Sequence, residues 1–172
     1  MKKLLLPAML AIFVFTSGAD AQNEAESWYI SGGFGYHTDW DDNNTGIVLE
    51  GVYSFQDHIR FSAGILYYLV DDESWGGTTY SFTVYDLNLN AHYLFKNEED
   101  MRIYALGGIN SLRVKTSGGG ESSSKSKEGL NLGAGIEYNV GTVMLFGELK
   151  MVTGDGHDNK FILHAGVRYR IK

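Results

Sequence analysis

The sequence has no cysteine, a shortage of basic residues, and, beyond its first 21 positions, no apolar run long enough to cross a bilayer as a helix. The first absence excludes disulfide stapling, the usual support of small exported domains, and with it a lipoprotein anchor built on cysteine. The second, 14 Lys and Arg against 21 Asp and Glu for a formal charge of −7, argues against nucleic acid as a partner. The third leaves no candidate helical span. Stability must therefore come from the chain's own sheet or from a membrane. Glycine, by contrast, is plentiful, with 22 residues.

The N-terminus reads Met1-Lys2-Lys3, continues apolar to Phe15, and reaches Ala19-Asp20-Ala21. A basic start, a short apolar core and an Ala-x-Ala site mark a secretory signal peptide, expected to be cut before Gln22. The apolar stretch is about 12 residues against the roughly 20 that a spanning helix needs, which disfavours a membrane anchor. Residues 1–21 are thus expected to be a signal peptide and 22–172 a single domain.

After that segment the chain alternates. Its last stretch sets Phe161, Leu163, Ala165, Val167, Tyr169 and Ile171 against His164, Gly166, Arg168, Arg170 and Lys172. Successive side chains of a strand point to opposite faces, so this is one strand with an apolar face and a charged one. Seven earlier stretches repeat the pattern, at 28–38, 46–55, 58–70, 79–95, 102–114, 128–140 and 143–153. The register of 102–114 is the weakest. Placing Tyr104, Leu106, Leu112 and Val114 on its apolar face leaves Ile103 and Ile109 on the other. Strands of roughly ten residues or more are long for a soluble sheet and suit tilted membrane strands. Short turns (56–57, 96–100, 141–142) alternate with longer polar loops (39–45, 71–77, 115–127, 154–160). The Gly/Ser/Lys composition of 115–127 predicts a mobile loop. The final strand would be an exposed edge unless the first one paired with it and closed the sheet.

Alternation does not say which face points inward. In a lipocalin-like soluble barrel the apolar face would line a ligand cavity; in a membrane barrel it would meet lipid. The polar faces hold few charges and many Gly, Ser and Asn, which suits a crowded lumen. Aromatics stand at the ends of the apolar faces: Trp28, Phe55, Phe95, Tyr104, Tyr138 and Tyr169 toward the turns, Tyr36, Tyr67 and Phe161 toward the loops. Two such belts are expected where a barrel meets headgroups. The asymmetry of turns and loops points the same way. The fold expected is all-β: an eight-stranded antiparallel up-and-down transmembrane β-barrel.

On these residues the mature chain resembles the small eight-stranded outer-membrane β-barrels of the OmpA/OmpX type, or opacity-type porin domains. The resemblance covers nearly all of 22–172 and rests on the strand pattern, the signal peptide and the closing strand. It implies a monomer in the outer membrane of a Gram-negative-type cell, with the N-terminus periplasmic and the long loops extracellular. It also implies recognition of the C-terminal strand by the assembly machinery, a step in which the family usually presents a terminal aromatic residue. Here Tyr169 is followed by Arg170, Ile171 and Lys172.

Four features could carry chemistry. Glu50, Arg60, Glu137, Glu148, Lys150 and Arg168, with Asp86, His92 and His164 near them, should face the lumen. Three acids and three bases in the core set can balance, so a structural network is favoured over a gated polar path. A lipid A-modifying enzyme would need a His, a hydroxyl and a carboxylate together. His37 with Asp39, His157 with Asp158, and His164 are available, but no Ser stands beside them in a motif. Asp39, Asp41, Asn43 and Glu50 echo part of a calcium-loop spacing, but Asn44 replaces the required Gly. Trp40 and Trp75, on acidic loops, are candidate anchors for a partner. The sequence therefore reads as a structural or surface-interaction barrel with no cofactor or metal, contacting outer-membrane lipid and an extracellular ligand. A lipid A-modifying enzyme and a narrow porin-like channel are the alternatives.

Overall fold

Antiparallel strands of alternating polarity bury their polar face only if the sheet curls shut, and that is the arrangement found. The computed structural model describes residues 25–38, 45–154 and 157–171, with backbone alone for Trp75 and for 157–159. The strands are β1 (Ser27–His37), β2 (Thr45–Gln56), β3 (Ile59–Tyr68), β4 (Glu73–Trp75), β5 (Thr78–Asn97), β6 (Met101–Gly118), β7 (Glu121–Asn139), β8 (Val143–Gly154) and β9 (His157–Arg170). Each pairs antiparallel with its neighbour, in the order β3-β2-β1-β9-β8-β7-β6-β5-β4. A further β3–β5 ladder, from Ile59↔Tyr93 to Tyr67↔Tyr85, closes the ring. Short β4 pairs only with the outer end of β5 and lies outside that ring, which has eight strands. First and last strands join as expected, from Tyr29↔Arg170 to His37↔Ile162. No sheet edge remains around the barrel.

The apolar faces point outward, with Trp28, Phe34, Leu89, Phe95, Leu132 and Leu163 all exposed. Charged and amide side chains point in and are buried, as are Glu50, Arg60, Asn131 and Arg168. In water this would be an inside-out protein; in lipid it is the stable arrangement.

Two expectations are corrected. The first is the register of β6. Tyr104, Leu106 and Leu112 point into the lumen (Tyr104 is 0% exposed), while Ile103 and Ile109 face outward at 37% and 55% exposure. Arg102 and Asn110, on the same parity as Tyr104, are buried with it. The lumen thus accepts apolar side chains where they fill space between ion pairs, so hydrophobicity alone misassigns this strand. Tyr104 accordingly leaves the turn-side aromatic belt.

The second concerns 115–127. That segment is a regular hairpin: β6 and β7 stay paired from Arg113↔Ser126 to Gly118↔Glu121. Gly119 and Gly120 form its tip, with φ of +62° and +85°. A two-residue turn of this hand needs positive φ at both central positions, and two glycines supply it without strain. Low-complexity composition signalled disorder, yet a ladder seeded in the barrel wall needs only a compatible turn to continue. Similarly, Gly76 and Gly77 (φ +58° and +82°) join β4 to β5 inside what the sequence suggested was a loop. The upper parts of β4, β5, β6 and β7 therefore form a sheet that projects past the barrel.

Candidate functional site

The lumen is layered. At the turn end Tyr29, Val52 and Met144 form an apolar floor. At the loop end Val48, Leu66, Tyr68, Val84, Leu112, Val152 and Ile162 form a larger apolar cluster. Between them lie the charges.

Arg168, on β9, is the centre. Its Nε donates to Ser31 Oγ at 2.7 Å and its Nη2 to Glu50 Oε1 at 2.7 Å, with Glu148 Oε1 3.6 Å away. Its Nη1 donates to Glu137 Oε1. Arg60 grips the same Glu137 carboxylate with both guanidinium nitrogens, at 2.9 and 3.1 Å. Arg102 Nη1 approaches Glu137 from the floor, at 3.5 Å. One carboxylate thus receives three guanidinium groups from three strands, and Arg168 carries the network on to Glu50 and Glu148. Planar guanidinium forks suit such sharing better than ammonium groups do. Lys150 is buried on the same wall as Glu148.

Neutral groups occupy the remaining valences. Tyr104 Oη donates to Glu148 Oε1 at 2.7 Å. Its ring stacks on His92 at 4.8 Å between centroids and 5° between planes, and the Arg60 guanidinium lies over the same ring, 5.1 Å from its centroid. Higher up, Asn131 Nδ2 donates to Asn88 Oδ1 at 2.9 Å and Asn90 Oδ1 at 2.8 Å, and Asn110 also donates to Asn88. Tyr68 Oη donates to Asp86 at 2.7 Å beneath the upper cluster. Arg60 on β3 reaches Glu137 on β7 across the lumen, and Arg168 on β9 joins Glu137 to Glu50 on β2, so the network ties together strands that are not neighbours in the sheet.

Glycine makes room for this packing. A Cβ on Gly135 would overlap the Tyr104 ring. Gly135→Val is expected to displace the ring, weaken its bond to Glu148, and destabilise the barrel by about 1–3 kcal/mol. Urea unfolding in lipid vesicles, followed by tryptophan fluorescence, measures the loss.

All six residues expected in the lumen network (Glu50, Arg60, Glu137, Glu148, Lys150, Arg168) are buried in the lumen. Arg102, Ser31 and Tyr104 were not anticipated. The signal available for them was parity, since Arg102 and Asn110 share a face that the apolar reading of β6 obscured. The described histidine side chains do not gather into one cluster. His37 is buried edge-on to Tyr68, 6.1 Å between ring centroids. His164 Nδ1 stands 3.8 Å from Glu148 Oε2, and His92 Nε2 is 3.1 Å from Ser62 Oγ in the packed interior. Among the described residues, the gap lined by His37, Asp86, Asn110, Leu112, Val152, Lys160 and Ile162 is no larger than a water and has no serine. Glu50 binds Arg168, away from the loop to which a calcium-like spacing would assign it. Asp39, Trp40, Asp41 and Asn43 lie outside the described residues, as do the side chains of Trp75, His157 and Asp158.

A closed eight-stranded antiparallel barrel, apolar outside and ion-paired within, defines a transmembrane β-barrel. The chain belongs to the outer membrane protein beta-barrel domain family, which it matches over residues 8–170. Solved structures of the same fold include the N-terminal β-barrel domain of Pseudomonas aeruginosa OprF, with TM-score 0.68 and 14% identity over 86% of this chain and 98% of that one. Neisserial surface protein A gives 0.62 and 19%, covering 83% and 96%. Ail of Yersinia pestis, solved in complex with the heparin analogue sucrose octasulfate, gives 0.57 and 22%, covering 83% and 97%. No curated protein matches the chain by sequence. The outer membrane is therefore its location and membrane lipid its surroundings.

Proposed function

We propose that the protein is a monomeric, non-conducting, non-catalytic scaffold that presents the β4–β7 sheet and its loops at the cell surface. The observation that supports this is the placement of the buried charges between two apolar clusters, an arrangement that favours interaction on the outside. In this reading residues 1–21 are removed on export, and the mature domain begins at 22. The N-terminus is periplasmic, and β9 is the strand read during assembly. Glu50, Arg60, Glu137, Glu148, Lys150 and Arg168 act as a structural clamp. Trp40 and Trp75 are the loop anchors for an extracellular ligand. The Ail complex with a heparin analogue supports such a role for a barrel of this fold.

Two measurements test it. Purified barrel in planar bilayers should give no resolved single-channel steps, because the upper apolar cluster excludes hydrated ions. Because the chain has no cysteine, Ser124→Cys offers a single thiol at the projecting hairpin. A membrane-impermeant maleimide should label it on intact cells. Regular conductance steps would restore the channel reading, and labelling only after lysis would reverse the orientation.

A further inference from the structure

The projecting sheet has two unlike faces. On the face continuous with the lipid-facing wall, the ladders stack in rows. Leu89, Ile109 and Leu130 form an apolar row, followed by Leu87, Ser111 and Glu128. Above these come Tyr85, Arg113 and Ser126, then Thr83, Lys115 and Ser124, then Ser81, Ser117 and Ser122. Those last three rows contain no carboxylate. Two cations, one aromatic and six hydroxyl side chains fill them. Arg113 is held by one bond, from Nε to Ser111 Oγ at 3.3 Å, which leaves the far end of its fork available. The opposite face mixes signs, with Lys125 and Lys127 alongside Glu73 and Glu121.

Arg113 lies four residue steps beyond Ile109, about 13 Å along a strand. Arg113 thus stands beyond the outward apolar row, on the side where headgroups follow hydrocarbon. We infer that Arg113 and Lys115, with the hydroxyl rows around them, form a binding surface for the phosphate groups of glycolipid in the leaflet beside the barrel. A guanidinium above an apolar row, with a tyrosine at the boundary, meets a phosphate anchored by its own acyl chains against that row. The hydroxyls then offer donors and acceptors to the sugar. A soluble polyanion would use the charge but not the adjoining apolar wall, so the continuity of the face favours a lipid. The inference rests on the loop side facing the glycolipid leaflet.

The full-length mature barrel, reconstituted with phosphorylated lipid A, is assayed for retained lipid by native mass spectrometry. Dephosphorylated lipid A serves as the comparison. Wild type should retain the phosphorylated form preferentially. Arg113→Ser with Lys115→Ser should weaken retention about 30-fold, the effect expected for two basic residues at an anionic lipid surface. Lys125→Ser with Lys127→Ser removes the same charge from the other face and should leave retention unchanged. Equal losses in both double variants, or no preference for phosphate, would overturn the proposal. So would binding of soluble sucrose octasulfate that depends on Arg113 and Lys115 while lipid retention does not. Because the reconstituted bilayer presents lipid A on both sides, this result is independent of orientation in the cell, which the Ser124→Cys labelling reads separately. Serine suits an exposed strand, and the heat-dependent gel shift of the folded barrel verifies that each variant is folded.

Discussion

Replacing Arg168 with Met is expected to lower the unfolding free energy of the barrel by about 3–5 kcal/mol, the range for removing one partner of a buried ion pair. Met keeps much of the length and bulk of the side chain, so packing against Phe146, over which the guanidinium lies at 5.0 Å, is largely retained. What is lost is the donor to Ser31, Glu50 and Glu137 and the neighbouring positive charge for Glu148. Glu50 then has no arginine, and Glu137 keeps only Arg60 and Arg102. Arg168→Lys should fall between the two, because one ammonium cannot span the same acceptors. Reversible urea titration in lipid vesicles gives all three values. An Arg168→Met barrel as stable as wild type would mean that the strand ladders alone hold the ring.

Glu148→Lys should be worse still. The new cation would stand on the same wall as Lys150, near Arg168, and Tyr104 would lose its acceptor. The loss should exceed the ~3–5 kcal/mol of simple removal, because repulsion is added to an unpaired group. That is a large part of the roughly 5–15 kcal/mol by which a typical domain is stable. The folded fraction, read as the heat-modifiable band on a gel, should therefore drop sharply. Glu148→Gln keeps an oxygen for the Tyr104 hydroxyl and removes only charge, so a milder loss of about 1–3 kcal/mol is expected. A stable Glu148→Lys barrel with raised conductance would show that these charges line a path instead of clamping the walls.

How far the network was legible can be seen strand by strand. Between Asp86 and His92 on β5, and between His164 and Arg168 on β9, every second residue is polar or tiny, and those faces read correctly. On β6 the same reading failed. The lumen there holds Tyr104, Leu106 and Leu112 beside Arg102 and Asn110. A barrel interior of this width is filled by its own side chains. Some of that volume is apolar, and nothing local to β6 tells filler from lipid-facing surface. Tyr104 is the sharpest case. Its lumenal place depends on a glycine at 135, a carboxylate at 148 and a histidine at 92, all on other strands. The 115–127 hairpin failed for a related reason. Serine-rich sequence has little propensity of its own, and its order is inherited from strands already paired below it.

The sequence by itself determined the class of fold, because a period of two sustained over eight stretches, without cysteine or a helical span, leaves few ways to satisfy the backbone. It also sent six charges to one side of the wall by parity, Glu50, Arg60, Glu137, Glu148, Lys150 and Arg168, while Arg102 stayed hidden behind the apolar residues of β6. Only the tertiary structure decided which acid meets which base, that Glu137 gathers three arginines, and that an apolar cluster lies toward each end of the lumen. It alone placed Arg113 and Lys115 in rows that hold no carboxylate, above the row of Leu87, Ser111 and Glu128. Those outcomes depend on the stagger between strands far apart in sequence, and hydrogen-bond register around a closed ring is a property of the whole circuit rather than of any one strand.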